Sequence, residues 1–192
     1  MSMKELIVIG GPNGAGKTTA VYDLLPDALA IRQFVNADEI ARGLSPFDPE
    51  GSAIAAGRIM LDRIHDLVET GESFAFETTC ASRGHARLMR TVRELGYRVT
   101  LLYLWLPSPE AAVERVSRRI RQGGHRIPPE IIHRRYWAGL RNMRHLYLPL
   151  ADIALIYDNS DNARILIARR APDAPLTIHD KNRWEKIEEA AQ

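Results

Sequence analysis

Gly11-Pro12-Asn13-Gly14-Ala15-Gly16-Lys17-Thr18 satisfies the pattern G-x-x-x-x-G-K-[ST], and Thr19 follows it directly. The spacing has a chemical reason. Glycines let successive backbone N–H groups curl round an oxyanion, and a helix starting inside the motif adds the positive end of its dipole. Lys17 can then reach the β- and γ-phosphates of a nucleoside triphosphate, and the Thr18 hydroxyl is placed to ligate Mg²⁺. Residues 11–19 are expected to bind ATP with Mg²⁺. A phosphate loop does not by itself name a reaction. The chain has no run of four apolar residues ending in Asp-Glu, as an ABC-type or motor ATPase would need, and no Asn-Lys-x-Asp guanine reader. What remains is a compact kinase.

A kinase needs a carboxylate within reach of the hydroxyl it phosphorylates. Asp38, in the cluster Asn36-Ala37-Asp38-Glu39, can be that base, and can equally cap a helix beginning near Glu39. Glu77 sits beside Phe74 and Phe76 and needs a partner there, either a ligand hydroxyl or the Mg²⁺ shell. Cations are concentrated further on. Of 26 basic residues 22 are arginine, nine of these fall between Arg115 and Arg144, and Glu130 is the one acid among them. Guanidinium forks bind phosphate in a bidentate way, so this stretch implies an anionic ligand or a solvated helix face.

The elements that must position these residues follow from hydrophobic periodicity. Short apolar strands are expected at residues 6–9, 34–35, 73–76, 98–106 and 153–157, with a sixth at 164–168. Helices are expected at residues 16–25, after Asp48-Pro49, at 83–95, after Ser108-Pro109, from Pro128-Pro129 to about Tyr147, and from Arg183 onward. Alternation of this kind predicts an α/β fold: a P-loop kinase-like parallel sheet of about five strands, helices on both faces, and a helical arginine-rich lid over 115–144. Residues 1–192 read as a single domain with a C-terminal extension over 161–192. Ligands on such sheets sit at the carboxyl ends of the strands. The polar clusters at 10–18, 36–39, 77–79 and 158–160 all follow strands and should meet in one crevice.

Composition is ordinary for a globular chain, with 45% hydrophobic and 26% charged residues. No apolar run approaches the length of a membrane span. A single cysteine, Cys80, cannot form an intramolecular disulfide, and residues 1–9 lack a signal-peptide pattern, so the cytoplasm is the expected compartment.

Taken together, Gly10–Thr19, Asn36–Ile40, Phe76–Thr79, Arg115-Val116 with Arg119, Gly123-Gly124-His125-Arg126-Ile127-Pro128, Arg134-Arg135-Tyr136 and Tyr157–Ser160 resemble the short, single-domain branch of the zeta-toxin family of P-loop kinases. The resemblance implies transfer of the γ-phosphoryl of ATP to a hydroxyl of a nucleotide-linked sugar such as UDP-N-acetylglucosamine, and a separate antitoxin protein as a possible partner. By motif it makes Asp38 the catalytic base and, with Lys17, Arg119 and Arg126, a member of the catalytic set. Glu77 and Thr79 resemble the Glu-x-Thr element that holds the acceptor, although Thr78 stands where the familiar toxins usually have glycine. His125, in the lid, is a further substrate-binding candidate. Two other readings stay open. One is a polynucleotide, nucleoside or dinucleotide kinase, although only Tyr136, Trp137 and Tyr147 lie near the arginines for base stacking. The other is an ATP-binding partner protein without catalysis, which would have no use for Asp38.

Overall fold

The computed structural model describes residues 3–21, 31–121, 127–161 and 163–192. Strand β1 (Glu5–Gly10) is buried from Leu6 onward, as the apolar run Leu-Ile-Val-Ile requires. It is the third strand of a seven-stranded sheet of order β2-β3-β1-β4-β5-β6-β7. Strands β2 (Gln33–Val35), β3 (Phe74–Thr78), β4 (Arg98–Trp105) and β5 (Ile153–Asp158) run parallel with it. Strands β6 (Ile165–Arg170) and β7 (Thr177–Ile178) extend the sheet antiparallel. The inner strands are apolar on both sides because helices cover both faces.

Helix α1 begins at residue 17 and is described to residue 21. The other helices are α2 (Ala37–Leu44), α3 (Ala53–Glu69), α4 (Arg83–Glu94), α5 (Pro109–Arg121), α6 (Pro129–Asn142) and α7 (Lys181–Ala190). Helix α6 continues through a wide π turn (Met143–Tyr147) into a tight 3₁₀ turn (Leu148–Leu150). Among the described residues no helix is long and apolar enough to cross a membrane.

The α/β class and the parallel core agree with the sequence, and three details differ. The sheet has seven strands and not about five: the run expected at 164–168 folds straight back on β5 as β6, and the two-residue β7 follows it. An antiparallel return needs no crossover helix, so its direction escapes a rule built on strand–helix alternation. Asp48-Pro49 does not open a helix. The Asp48 carboxylate accepts from the Gly51 N–H at 3.0 Å and closes a turn, and α3 starts at Ala53. The terminal helix begins two residues before Arg183, where Asp180 caps it by accepting from the Arg183 N–H at 3.0 Å.

Candidate active site

Parallel register brings the polar clusters together at the carboxyl edge. Ile9 pairs with Glu77, and Gly10 with both Thr78 and Tyr103, so the loop leaving β1 starts beside the acid that ends β3. The loop packs directly on α5. A Cβ on Gly14, which has φ +78°, would lie 3.0 Å from both the Ala112 carbonyl oxygen and the Arg115 Cβ. Ser108 caps α5 by accepting from the Ala111 N–H at 3.2 Å, which aims Arg115, Arg118 and Arg119 across the loop. These three share one helix face through i,i+3 and i,i+4 spacing. With Gly14, Gly16, Lys17, Thr18, Thr19 and Glu77 they enclose a cavity of about 370 Å³.

Lys17 is only 6% exposed. Its ammonium donates to the Pro12 carbonyl at 2.9 Å and lies 3.6 Å from the Glu77 carboxylate. Glu77 Oε2 also accepts from the Thr18 hydroxyl and from Asn36 Nδ2, each at 2.9 Å. One acid thus ties the phosphate loop to the entry of α2, which answers its need for a partner. Asn36 has a second task. Its Oδ1 accepts from the N–H of Asp38 at 2.8 Å and of Glu39 at 3.4 Å, so Asn36, and not Asp38, is the N-cap of α2. Relieved of capping, the exposed Asp38 carboxylate has no side-chain partner among the described residues.

Asp38 stands between two further cavities. One, of about 370 Å³, is walled by α2 and α3 and reaches Thr18, Arg119 and Arg135. The other, of about 300 Å³, runs past Asn13, Lys17, Glu77, Thr79 and His85 to the same Arg135. Arg119 and Thr18 line both the phosphate cavity and the α2–α3 cavity, so the three spaces form one crevice around Asp38.

Most of the residues singled out in the sequence therefore meet here: the phosphate loop, Asp38, Glu77, Thr79 and Arg119. Pro12 supplies the carbonyl under Lys17, and Asn13 lines the crevice and has a buried Oδ1 without a hydrogen-bond partner. Ala15 is fully buried behind the loop. His125 and Arg126 lie outside the described residues. The expected lid divides in two. Helix α6 is seated on the segment after β3, where Asn142 Nδ2 donates to the Cys80 and Ala81 carbonyls at 2.9 and 3.0 Å. It places Arg135 on the wall of the crevice. Cys80 is a packing residue, fully buried at φ +59°, and burial pushes its thiol up to about 12 despite the nearby Lys17.

Sequence reasoning had Arg135 only within the motif Arg134-Arg135-Tyr136, without a site role, and it missed His85 and the double use of Asn36. Asparagine two residues ahead of an acidic first turn is a capping signal, so Asn36 could have been found. His85 could not, because its place depends on how α4 meets β3. Its Nδ1 lies 3.1 Å from the Thr78 hydroxyl and its ring 5.0 Å from that of Phe76, and burial lowers its pKa.

Comparison with known proteins agrees with this fold. A chain of the AvrRxo1-ORF1:AvrRxo1-ORF2 complex crystallised with sulphate ions superposes with a TM-score of 0.79 at 15% identity, over 99% of this chain and 65% of that one. The same complex with ATP gives a TM-score of 0.77 at 16% identity, over 99% and 65%. A chain of the PezAT chromosomal toxin–antitoxin system of Streptococcus pneumoniae gives 0.67 at 16% identity, over 99% and 86%. The present chain thus spans about 65% of the AvrRxo1 chains it resembles. The fold is P-loop kinase-like. An uncharacterized protein of Haemophilus influenzae is 31% identical over 126 residues, covering 66% of this chain and 88% of that protein. The AAA_33 family, described as an AAA domain, matches residues 6–138, from within β1 through the phosphate loop, Asp38 and Glu77 into α6. Since that match takes in most of the chain and the whole of the crevice, the protein belongs to the AAA_33 family of P-loop domains.

Proposed function

We propose that the protein is an ATP-dependent small-molecule kinase of the zeta-toxin type, transferring the γ-phosphoryl of ATP to a hydroxyl of a nucleotide-linked sugar such as UDP-N-acetylglucosamine. One observation carries this reading. Asp38 is an unengaged carboxylate in the same crevice as the phosphate loop, flanked by two cavities that can seat an acceptor. In the reaction the acceptor oxygen bonds to the γ-phosphorus while the bond from that phosphorus to the β-bridging oxygen breaks and ADP leaves. Asp38 takes the hydroxyl proton. Lys17 and Arg119 neutralise charge on the transferring group, where fixed cations act most strongly. Glu77 and Thr79 orient the acceptor.

The hard oxygen donors of Thr18 and Glu77, 2.9 Å apart, suit Mg²⁺. When bound, that ion would offset phosphate charge, with Thr18 as its ligand. The AvrRxo1 and PezAT neighbours are two-protein systems, which supports a separate antitoxin partner here.

Incubation with Mg²⁺-ATP and a panel of UDP-sugars, NAD, nucleosides and short RNA, read by mass spectrometry, tests the proposal. A gain of one phosphoryl group on a UDP-sugar is expected, and it should disappear in Lys17→Ala. Transfer to RNA or nucleosides alone would replace the acceptor class, and no transfer to any acceptor would overturn the kinase reading.

A further inference from the structure

A chain of hydrogen bonds with no part in the proposed chemistry runs from α7 to the phosphate loop. Arg183, in the first turn of α7, donates from Nε to Asp158 Oδ2 and from Nη1 to Asp180 Oδ2, each at 2.6 Å. Asp158 ends β5 and is 6% exposed. Its other oxygen accepts from the Ser160 N–H at 2.8 Å and from the Ser160 hydroxyl. Asn159, held between them, is fixed on three sides. Its N–H donates to the Trp105 carbonyl at 3.1 Å, its carbonyl accepts from Arg115 Nη1, and its Nδ2 donates to the Ala15 carbonyl at 2.6 Å.

Ala15 sits between Gly14 and Gly16, both at positive φ. Glycines there allow the cradle its shape but restrain it least. The loop's own backbone adds one bond at this point, from the Ala15 N–H to the Pro12 carbonyl at 3.2 Å. The bond from Asn159 is thus an external restraint on the freest part of the cradle. Asp158, Asn159, Ser160 and Arg183 all lie beyond residues 6–138, so the family match does not account for them.

We infer that Arg183 is a positioning residue for the phosphate loop: through Asp158 it holds Asn159 against Ala15, and so keeps the cradle in its triphosphate-binding shape. This rests on the reading of residues 11–18 as the ATP cradle. When only part of the population has the binding shape, apparent affinity falls by that fraction. Loss of Arg183 leaves a buried carboxylate without its cation, and Asp158 must then turn or take a proton. Its present charge state depends on these contacts. Burial pushes the carboxyl up, but hydrogen bonds from Ser160 and Arg183 outweigh that and hold it below the usual range.

Titration of the full chain with Mg²⁺ and a fluorescent ATP analogue, alongside hydrogen exchange of residues 11–18 without nucleotide, tests the inference. Losing one such restraint should weaken binding about five- to tenfold in Arg183→Gln, and similarly in Asn159→Asp, which sets an oxygen against the Ala15 carbonyl. Exchange over 11–18 should rise in both, and Arg183→Lys should recover part of the affinity. In Arg183→Gln with Asn159→Ala, the double variant should bind no more weakly than the weaker single one, because both act through one bond. Additive losses would overturn the route through Asn159. Wild-type affinity and exchange in Arg183→Gln and Asn159→Asp, even with lowered melting temperatures, would overturn the inference and leave the cradle reading intact. A wild-type chain that binds no ATP would overturn both. If Arg183→Gln does not fold, Arg183→Lys and Asn159→Asp decide.

Discussion

Asp38→Asn separates the proposed chemistry from folding, because the cap of α2 falls to Asn36 while the proposed base is Asp38. Asn36 caps α2 through Oδ1, and Asp38 contributes to that cap only its backbone N–H. Asparagine at 38 keeps that N–H and the side-chain shape. What it removes from the fold is one negative charge in the first turn of α2, worth about 0.3–1 kcal/mol and near the lower end for an exposed group. For a chain of this size each kcal/mol moves Tm by about 2–4 °C, so a shift beyond about 4 °C is not expected. What it removes from the reaction is the proton acceptor, worth about 10²-fold or more in rate, or roughly 2.7 kcal/mol of barrier. Asn36→Ala should show the opposite pattern. It loses a cap worth about 1–2 kcal/mol and strips Glu77 of one donor, so it should melt well below Asp38→Asn. The assay is single-turnover transfer of labelled phosphate at saturating ATP, with calorimetry on the same samples. Asp38→Asn with wild-type turnover and a large fall in Tm would refute the assignment and return Asp38 to a structural role.

Lys17→Ala should abolish transfer and weaken ATP binding in a titration, since the buried cation of the phosphate cavity is gone. Gly139→Ala should destabilise, although alanine usually favours a helix interior by about 1 kcal/mol over glycine. Its Cβ would fall 2.2 Å from the Thr79 carbonyl oxygen, and forcing α6 off that segment should cost about 1–3 kcal/mol in a urea titration. His85 should make the fold acid-sensitive. Its folded pKa lies below the ordinary 6.5, so as pH falls below that value the unfolded chain takes up the proton first and stability drops. The stability difference between pH 7.5 and 5.5 should therefore shrink in His85→Gln.

The parts of this protein that were legible in its sequence are those written in local chemistry. The phosphate loop needs a fixed spacing of glycines, lysine and threonine, and the inner strands need unbroken apolar runs, so both can be read residue by residue. The parallel order then brings Asp38, Glu77 and Arg119 to one edge without further information. Contacts set by packing were not legible. Arg135 reaches the crevice because Gly139 and Asn142 seat α6 on residues 79–81, and nothing near position 135 records that. Asn159 is expected at the crevice with the cluster 158–160, but its hold on Ala15 spans 144 positions of chain and is set by packing. The strand expected at 164–168 is present as β6, but its antiparallel return and the short β7 beside it are recognisable only once β5 is in place.

The sheet ends on one side in β2, three residues long, and on the other in β7, two residues long. An edge that short exposes few free N–H and C=O groups, too few to template a long strand from another molecule. The consequence concerns assembly. Strand addition across the sheet is disfavoured as a route to association for the described chain, whether to a copy of itself or to an extended peptide. A partner protein is then expected to read side chains on helices and loops, and the arginine-lined crevice is one feature those surfaces offer.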